Sequence, residues 1–70
     1  MKFNSIEDRR NYYAKNYSSE FEQGFWNGVN LGYIPDFDEA EQMMSYLEGY
    51  RFAKEGNSYA ELRAFIFGVT

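Results

Sequence analysis

Four carboxylates fall within six residues: Asp36, Asp38, Glu39 and Glu41. Acidic side chains at that density can ligate calcium, split acid and base roles between a pair, or present negative charge to a basic partner. A calcium loop needs oxygen ligands at alternate positions and a glycine at the sixth. Here Ala40 takes the fifth position and Glu41 the sixth, so the pattern fails. Paired-carboxylate hydrolysis needs a cleft that fixes the spacing of the two groups, and a chain of 70 residues has little room for one. With no His and no Cys, a Ser or Tyr nucleophile has no imidazole to activate it and a zinc centre has no usual ligand. A glycine-rich phosphate loop is also missing. No metal or cofactor is expected, and the sequence reads as a non-catalytic binding protein.

The third role fits the distribution of charge. From Asn16 to Tyr50 there are seven acids (Glu20, Glu22, Asp36, Asp38, Glu39, Glu41, Glu48) and no base, while Lys and Arg are confined to the two ends. Block asymmetry of this kind is evidence about partners. A row of carboxylates can imitate phosphates and enter a Lys/Arg-lined channel on a protein. Two plainer accounts compete with this one. The basic ends can fold back on the acidic middle, or the cluster can serve as favourable charge at a helix N-terminus.

Elements must position these groups with little help. Neither disulfide nor zinc is available, and a chain of this length buries only about 60% of its unfolded surface. Aromatic mass is the substitute: seven Phe, seven Tyr and one Trp. Helix start signals recur. Ser5-Ile6-Glu7-Asp8 fits a capping box opening a helix of about 6–17. Ser18-Ser19-Glu20-Phe21-Glu22 fits another, leading to about Leu31 with Gly32 as a left-handed cap. Around Pro35 the chain turns, and Asp36 or Asp38 then caps a long helix ending near Glu55, closed by Gly56-Asn57. Ser58-Tyr59-Ala60-Glu61 starts a last short helix before Gly68. No segment alternates with strand period over more than four residues. An all-α single domain is expected, built around a helical hairpin (about 19–31 and 38–55) with a short helix on each side. The absence of an apolar leader or a membrane-length run points to the cytoplasm.

Periodicity places Phe21, Gly24, Phe25, Gly28, Leu31 and Gly32 on one half of the second helix, and Met43, Tyr46, Leu47, Tyr50 and Ala53 on one half of the third. Trp26 and Phe52 fall outside both stripes. Either the flanking helices cover them or they are anchors for a partner, since aromatic anchors dominate interface energetics. Gly24 and Gly28 lie in mid-helix, where each costs up to about 1 kcal/mol against Ala. The return expected is a close helix crossing, with Gly49 and Ala53 as the matching small pair. Fraying of the second helix is the alternative.

The two helices also repeat. Phe21-Glu22-Gln23-Gly24-Phe25-Trp26-Asn27-Gly28 aligns on Tyr46-Leu47-Glu48-Gly49-Tyr50-Arg51-Phe52-Ala53 as aromatic-x-x-Gly-aromatic-x-x-small. With Pro35 between the units, the segment from Phe21 to Ala53 resembles ribosome modulation factor. That family is small and helical, binds the small ribosomal subunit and promotes inactive ribosome dimers. The resemblance implies a ribosomal partner contacted through Arg9, Arg10, Lys15, Arg51 and Lys54. The family is strongly basic, whereas the matching segment here is acidic.

Three functions follow as expectations. The first is an inhibitor or modulator of a nucleic-acid-handling protein complex, docking on its basic surface through Glu20, Glu22, Asp36, Asp38, Glu39 and Glu41, with Trp26 and Phe52 as aromatic contacts. Phage anti-defence proteins of the anti-CRISPR or anti-restriction kind offer an analogy of size and charge. The second is a ribosome-associated modulator, and the third a self-associating structural subunit.

Overall fold

Ser5 accepts a hydrogen bond from the Asp8 backbone N–H (3.1 Å) and so starts α1, Ile6–Asn16. In the computed structural model, which describes residues 3–30 and 32–68, α2 (Ser18–Val29), α3 (Ala40–Lys54) and α4 (Tyr59–Phe67) follow. The protein is thus an all-α domain of four helices, with no strand among the described residues. Ser18 and Ser19 do not cap α2. Tyr17 closes α1 and opens α2 at once: its N–H donates to Tyr13 O (2.9 Å) and its carbonyl accepts from Phe21 N–H (3.0 Å), which puts both serines inside the first turn. At the other end α2 stops at Asn30, in extended conformation, before Gly32 is reached. Gly32 lies against the Asn27 side chain, beyond the Asn30 cap. The expected continuation to Leu31 lies outside the described residues.

Neither Asp36 nor Asp38 caps α3. Glu39 is the cap residue, and Gln42 Oε1 accepts from the backbone N–H groups of Asp38 and Glu39 (3.1 Å each). The end of α3 matches its sequence signals: Gly56 turns the chain at φ 95° and Asn57 Nδ2 donates to Phe52 O. In α4, Ser58 and Glu61 exchange backbone and side-chain hydrogen bonds, and Gly68 closes the helix with φ 67°. Only a residue tolerant of the left-handed region serves at these two turns.

Tyr13, Ala14, Phe21, Phe25, Phe52, Leu62 and Ile66 form the core. Phe65 of α4 stacks on Phe52 at 5.2 Å and 22°, and Phe21 lies 5.8 Å from the Phe52 ring. Phe52 is therefore at the centre of the aromatic packing. On α3 the buried face is wider than its apolar stripe. Ser45, Glu48 and Phe52 are buried toward α1, while Met43 and Leu47, expected inside, are 47% and 40% exposed. The polar pair draws the helix round. Ser45 Oγ lies within hydrogen-bond distance of the Tyr13 and Tyr17 carbonyls (3.2 and 2.9 Å), at the junction of α1 and α2.

The closest contact in the fold joins α2 to α3. The side of Gly24 that would carry a Cβ faces the Tyr46 carbonyl, and that of Gly49 faces the Phe21 carbonyl. The two contacts are reciprocal under the 25-residue repeat. At Gly28 an added Cβ would sit 2.7 Å from Ala53 Cβ and 2.8 Å from Tyr50 O. Glu20 meets Gln42 near the starts of the two helices and Gly28 meets Ala53 near their ends, so α2 and α3 run in the same sense and do not form the hairpin expected of these two segments. The long connection through residues 32–38 returns along them. A methyl group at such a crossing overpacks it, at about 1–3 kcal/mol. Gly28→Ala is expected to destabilise by about that amount, and Gly24→Ala and Gly49→Ala by more, because backbone carbonyls yield less than a methyl. Chemical denaturation checks this, and a raised unfolding midpoint for any of the three would contradict the crossing.

Candidate functional site

The acidic side chains divide into two sets. Glu48 and Glu55 are paired. The Glu48 carboxylate, 2% exposed, lies 2.7 Å from Arg9 Nε and 3.3 Å from Arg10 Nε. Arg10 then grips Glu55 through both terminal nitrogens at 2.8 Å. The two-pronged pairing holds the Glu55 carboxyl below its ordinary value, against a smaller opposing effect of burial, and raises Arg10. Part of the N-terminal basic block thus folds back, onto the C-terminal half of α3.

The other set is unpaired. Asp36, Asp38 and Glu39 are exposed and form no ion pair among the described residues. They line a groove of about 450 Å³ between the returning segment and α3, alongside Ile34, Pro35, Phe37, Ala40, Met43, Tyr46 and Leu47. A second hollow of about 270 Å³ continues it past Ile34, Tyr46 and Leu47 to Gly32, Asn27 and Tyr50. Two contacts hold the returning segment. Asn27 Nδ2 donates to Tyr33 O (3.0 Å) and to Tyr46 Oη (2.8 Å), and the Phe37 ring lies 5.4 Å from that of Tyr46.

Glu41, Glu20 and Glu22 are not on this rim. Glu41 is half-buried beside the Tyr13 hydroxyl, whose pKa is raised by burial first and by the Glu41 charge second. Burial also raises Tyr17, with Tyr12 and then the charges of Glu41, Glu39 and Glu20 adding to the effect. Glu20 Oε2 accepts from Gln42 Nε2 at 3.1 Å and ties the start of α2 to α3. Glu22 is half-buried with no ion pair among the described residues. Of the aromatic candidates, Trp26 is 40% exposed and packs 5.0 Å from Tyr59. Phe52 is corrected: it is 7% exposed, with Arg10 5.7 Å over its ring, and is unable to touch a partner. Gly24, Gly28, Gly49 and Ala53 lie at the crossing.

Sequence reasoning missed Ile34, Asn27 and the outward turn of Met43 and Leu47. The signal for the last was present: Ser45 and Glu48, one turn apart, need polar partners once a four-helix packing covers them. No family model, no curated protein and no solved structure matches the chain. Among the described residues, no cluster of acids is arranged to hold a metal ion, and no helix is long and apolar enough to cross a membrane.

Two expected outcomes follow. Glu48→Ala leaves Arg9 and Arg10 without their shared carboxylate and is expected to cost about 3 kcal/mol, as for other broken buried pairs. Loss of an exposed partner costs about 0–1 kcal/mol, so Glu55→Ala is the mild comparison. Equal midpoints for the two variants would refute the division. Tyr13 titrates above its ordinary value of 10 in the folded chain. Its contribution is therefore fully present below about pH 10 and is lost as pH rises through the folded value. Unfolding midpoints are expected to fall above about pH 10, and less steeply in Tyr13→Phe.

Proposed function

We propose that the chain is a non-catalytic, cytoplasmic binding protein that docks on the basic, nucleic-acid-binding surface of a partner protein complex and inhibits or modulates it. A phage anti-defence protein of the anti-CRISPR or anti-restriction kind would act in this way. The observation that carries the reading is the division of the carboxylates. Arg9 and Arg10 are engaged by Glu48 and Glu55, whereas Asp36, Asp38 and Glu39 are left as a negative rim with no cation of their own among the described residues. An unneutralised rim beside apolar surface steers a cationic partner and gives it something to bury.

The ribosomal reading draws less support. Phosphate contact supplies most non-specific affinity for nucleic acid and needs free cations. Two of its five, Arg9 and Arg10, already have carboxylate partners, and Lys54 lies over the Tyr50 ring at 5.4 Å.

The test is capture from bacterial lysate on the immobilised chain, with and without nuclease. The captured complex is then titrated with wild type and with the Asp36→Asn, Asp38→Asn, Glu39→Gln variant at two salt concentrations. A nuclease-resistant protein complex is expected. The variant should associate at least about tenfold more slowly at low salt, with a shallower salt dependence. Equal rates and equal salt slopes would overturn the reading. Ribosomal subunits together with tight binding of naked RNA would replace it with the ribosomal one, and recovery of the chain alone with self-association.

A further inference from the structure

α3 turns Met43 and Leu47 away from the core, and the half-buried Tyr50 continues their line at i+7. Met43 is 47% and Leu47 40% exposed, and Ile34, 65% exposed, stands beside them on the returning segment. Apolar side chains at this spacing form the seam by which one helix receives another. A small chain with so thin a stability margin has reason to bury such residues, and clustered exposed apolar surface marks an interaction site. Along the groove the chemistry is graded. The hollow toward Tyr50 is lined by Asn27, Gly32, Ile34, Tyr46, Leu47 and Tyr50, none of them charged, whereas the lining of the hollow toward Met43 includes Asp36, Asp38 and Glu39.

We propose that this groove binds a basic amphipathic helix of the partner protein, laid along Met43, Leu47 and Tyr50 with its apolar stripe in the two hollows and its Lys/Arg-rich end over Asp36, Asp38 and Glu39. The inference rests on the docking function proposed above and names the element that docks. Charge complementarity selects this occupant. A second copy of the chain would bring its own carboxylate rim to the same groove and set like charges against one another. An all-apolar helix would leave the rim desolvated and unpaired, which is costly. The polarity of the groove also sets the direction of the guest, since only one end of it meets negative charge.

The probe is a short helix-forming peptide of Leu, Lys and Ala, with leucines at i, i+4 and i+7 and lysines gathered at one end. Its binding to the full chain is followed by fluorescence anisotropy and by backbone amide shifts. Binding is expected with shifts confined to residues 32–39 and the exposed side of α3. It should weaken at least tenfold when the leucines are scrambled around the helix, and at least tenfold when Glu replaces Lys. Met43→Ser with Leu47→Ser alters only part-exposed positions and should likewise weaken it at least tenfold, with circular dichroism confirming the fold. Absence of binding, or equal binding of the scrambled or reversed-charge peptide, overturns the inference. So does a wild-type dimer on sedimentation that the Met43/Leu47 variant dissolves. If groove substitutions change nothing while neutralising Asp36, Asp38 and Glu39 still weakens capture of the protein complex, the helix-in-groove inference falls and the acidic docking reading stands. Equal salt slopes for that neutral variant on the captured complex bring down the docking reading itself.

Discussion

Everything else in this fold is arranged around a contact without side chains. Gly24 lies over the Tyr46 carbonyl and Gly49 over the Phe21 carbonyl, so two helix backbones meet where two layers of side chains would otherwise intervene. Glycine in mid-helix costs up to about 1 kcal/mol, and the return is dispersion between the two closely packed backbones. The close approach also determines where bulk goes. Phe21, Phe25 and Phe52 cluster on the side covered by α1 and α4, while Met43 and Leu47 of α3 are left to solvent.

Charge is placed by the same logic. α1 packs against α3 through Ser45 and Glu48, so the arginines of α1 arrive at the one stretch of α3 where a carboxylate is already buried. With Arg10 also gripping Glu55, the local charge in that region is close to balanced. Asp36, Asp38 and Glu39 lie on the far side of the domain's pairing scheme, on a segment held by Asn27 and by Phe37 against Tyr46. Segregation along the sequence becomes segregation over the surface because the returning segment is anchored by neutral groups and forms no ion pair among the described residues.

Local signals in the sequence were legible where one residue decides the outcome. Ser58 with Glu61, Gly56, Gly68 and the Gly24/Gly28/Gly49 pattern each depend on a single backbone requirement, and the helices they bound or join are where those residues place them. Signals failed where two elements shared a residue. Ser18 and Ser19 look like caps, but Tyr17 joins α1 to α2 so directly that no cap position is left for them. Likewise the apolar stripe of α3 gave only part of the buried face: Tyr46 is inside but Met43 and Leu47 are not, because periodicity counts apolar residues and is blind to Ser45 and Glu48, whose burial is secured by partners from α1. Of the candidate site, the acidity of Asp36, Asp38 and Glu39 was readable. The groove beside them was not, since it exists only through the return of a segment whose path no local residue type dictates.

That return has a kinetic consequence. In an antiparallel pair joined by a tight turn, contacts nearest the turn form first and the rest close like a zipper. Here Phe21 meets Gly49 and Gly24 meets Tyr46, and even the Asn27–Tyr46 hydrogen bond closes a loop of 19 residues. No short-range contact of the pair rewards partial closure before that entropy is spent. The two helices, whose own hydrogen bonds are local, must therefore form or flicker first and then collide in register. The carbonyl contacts at the glycines give almost nothing until that register is reached. Folding should therefore be slower than in bundles whose neighbouring helices are joined by tight turns, since non-local contacts must be closed before they stabilise anything.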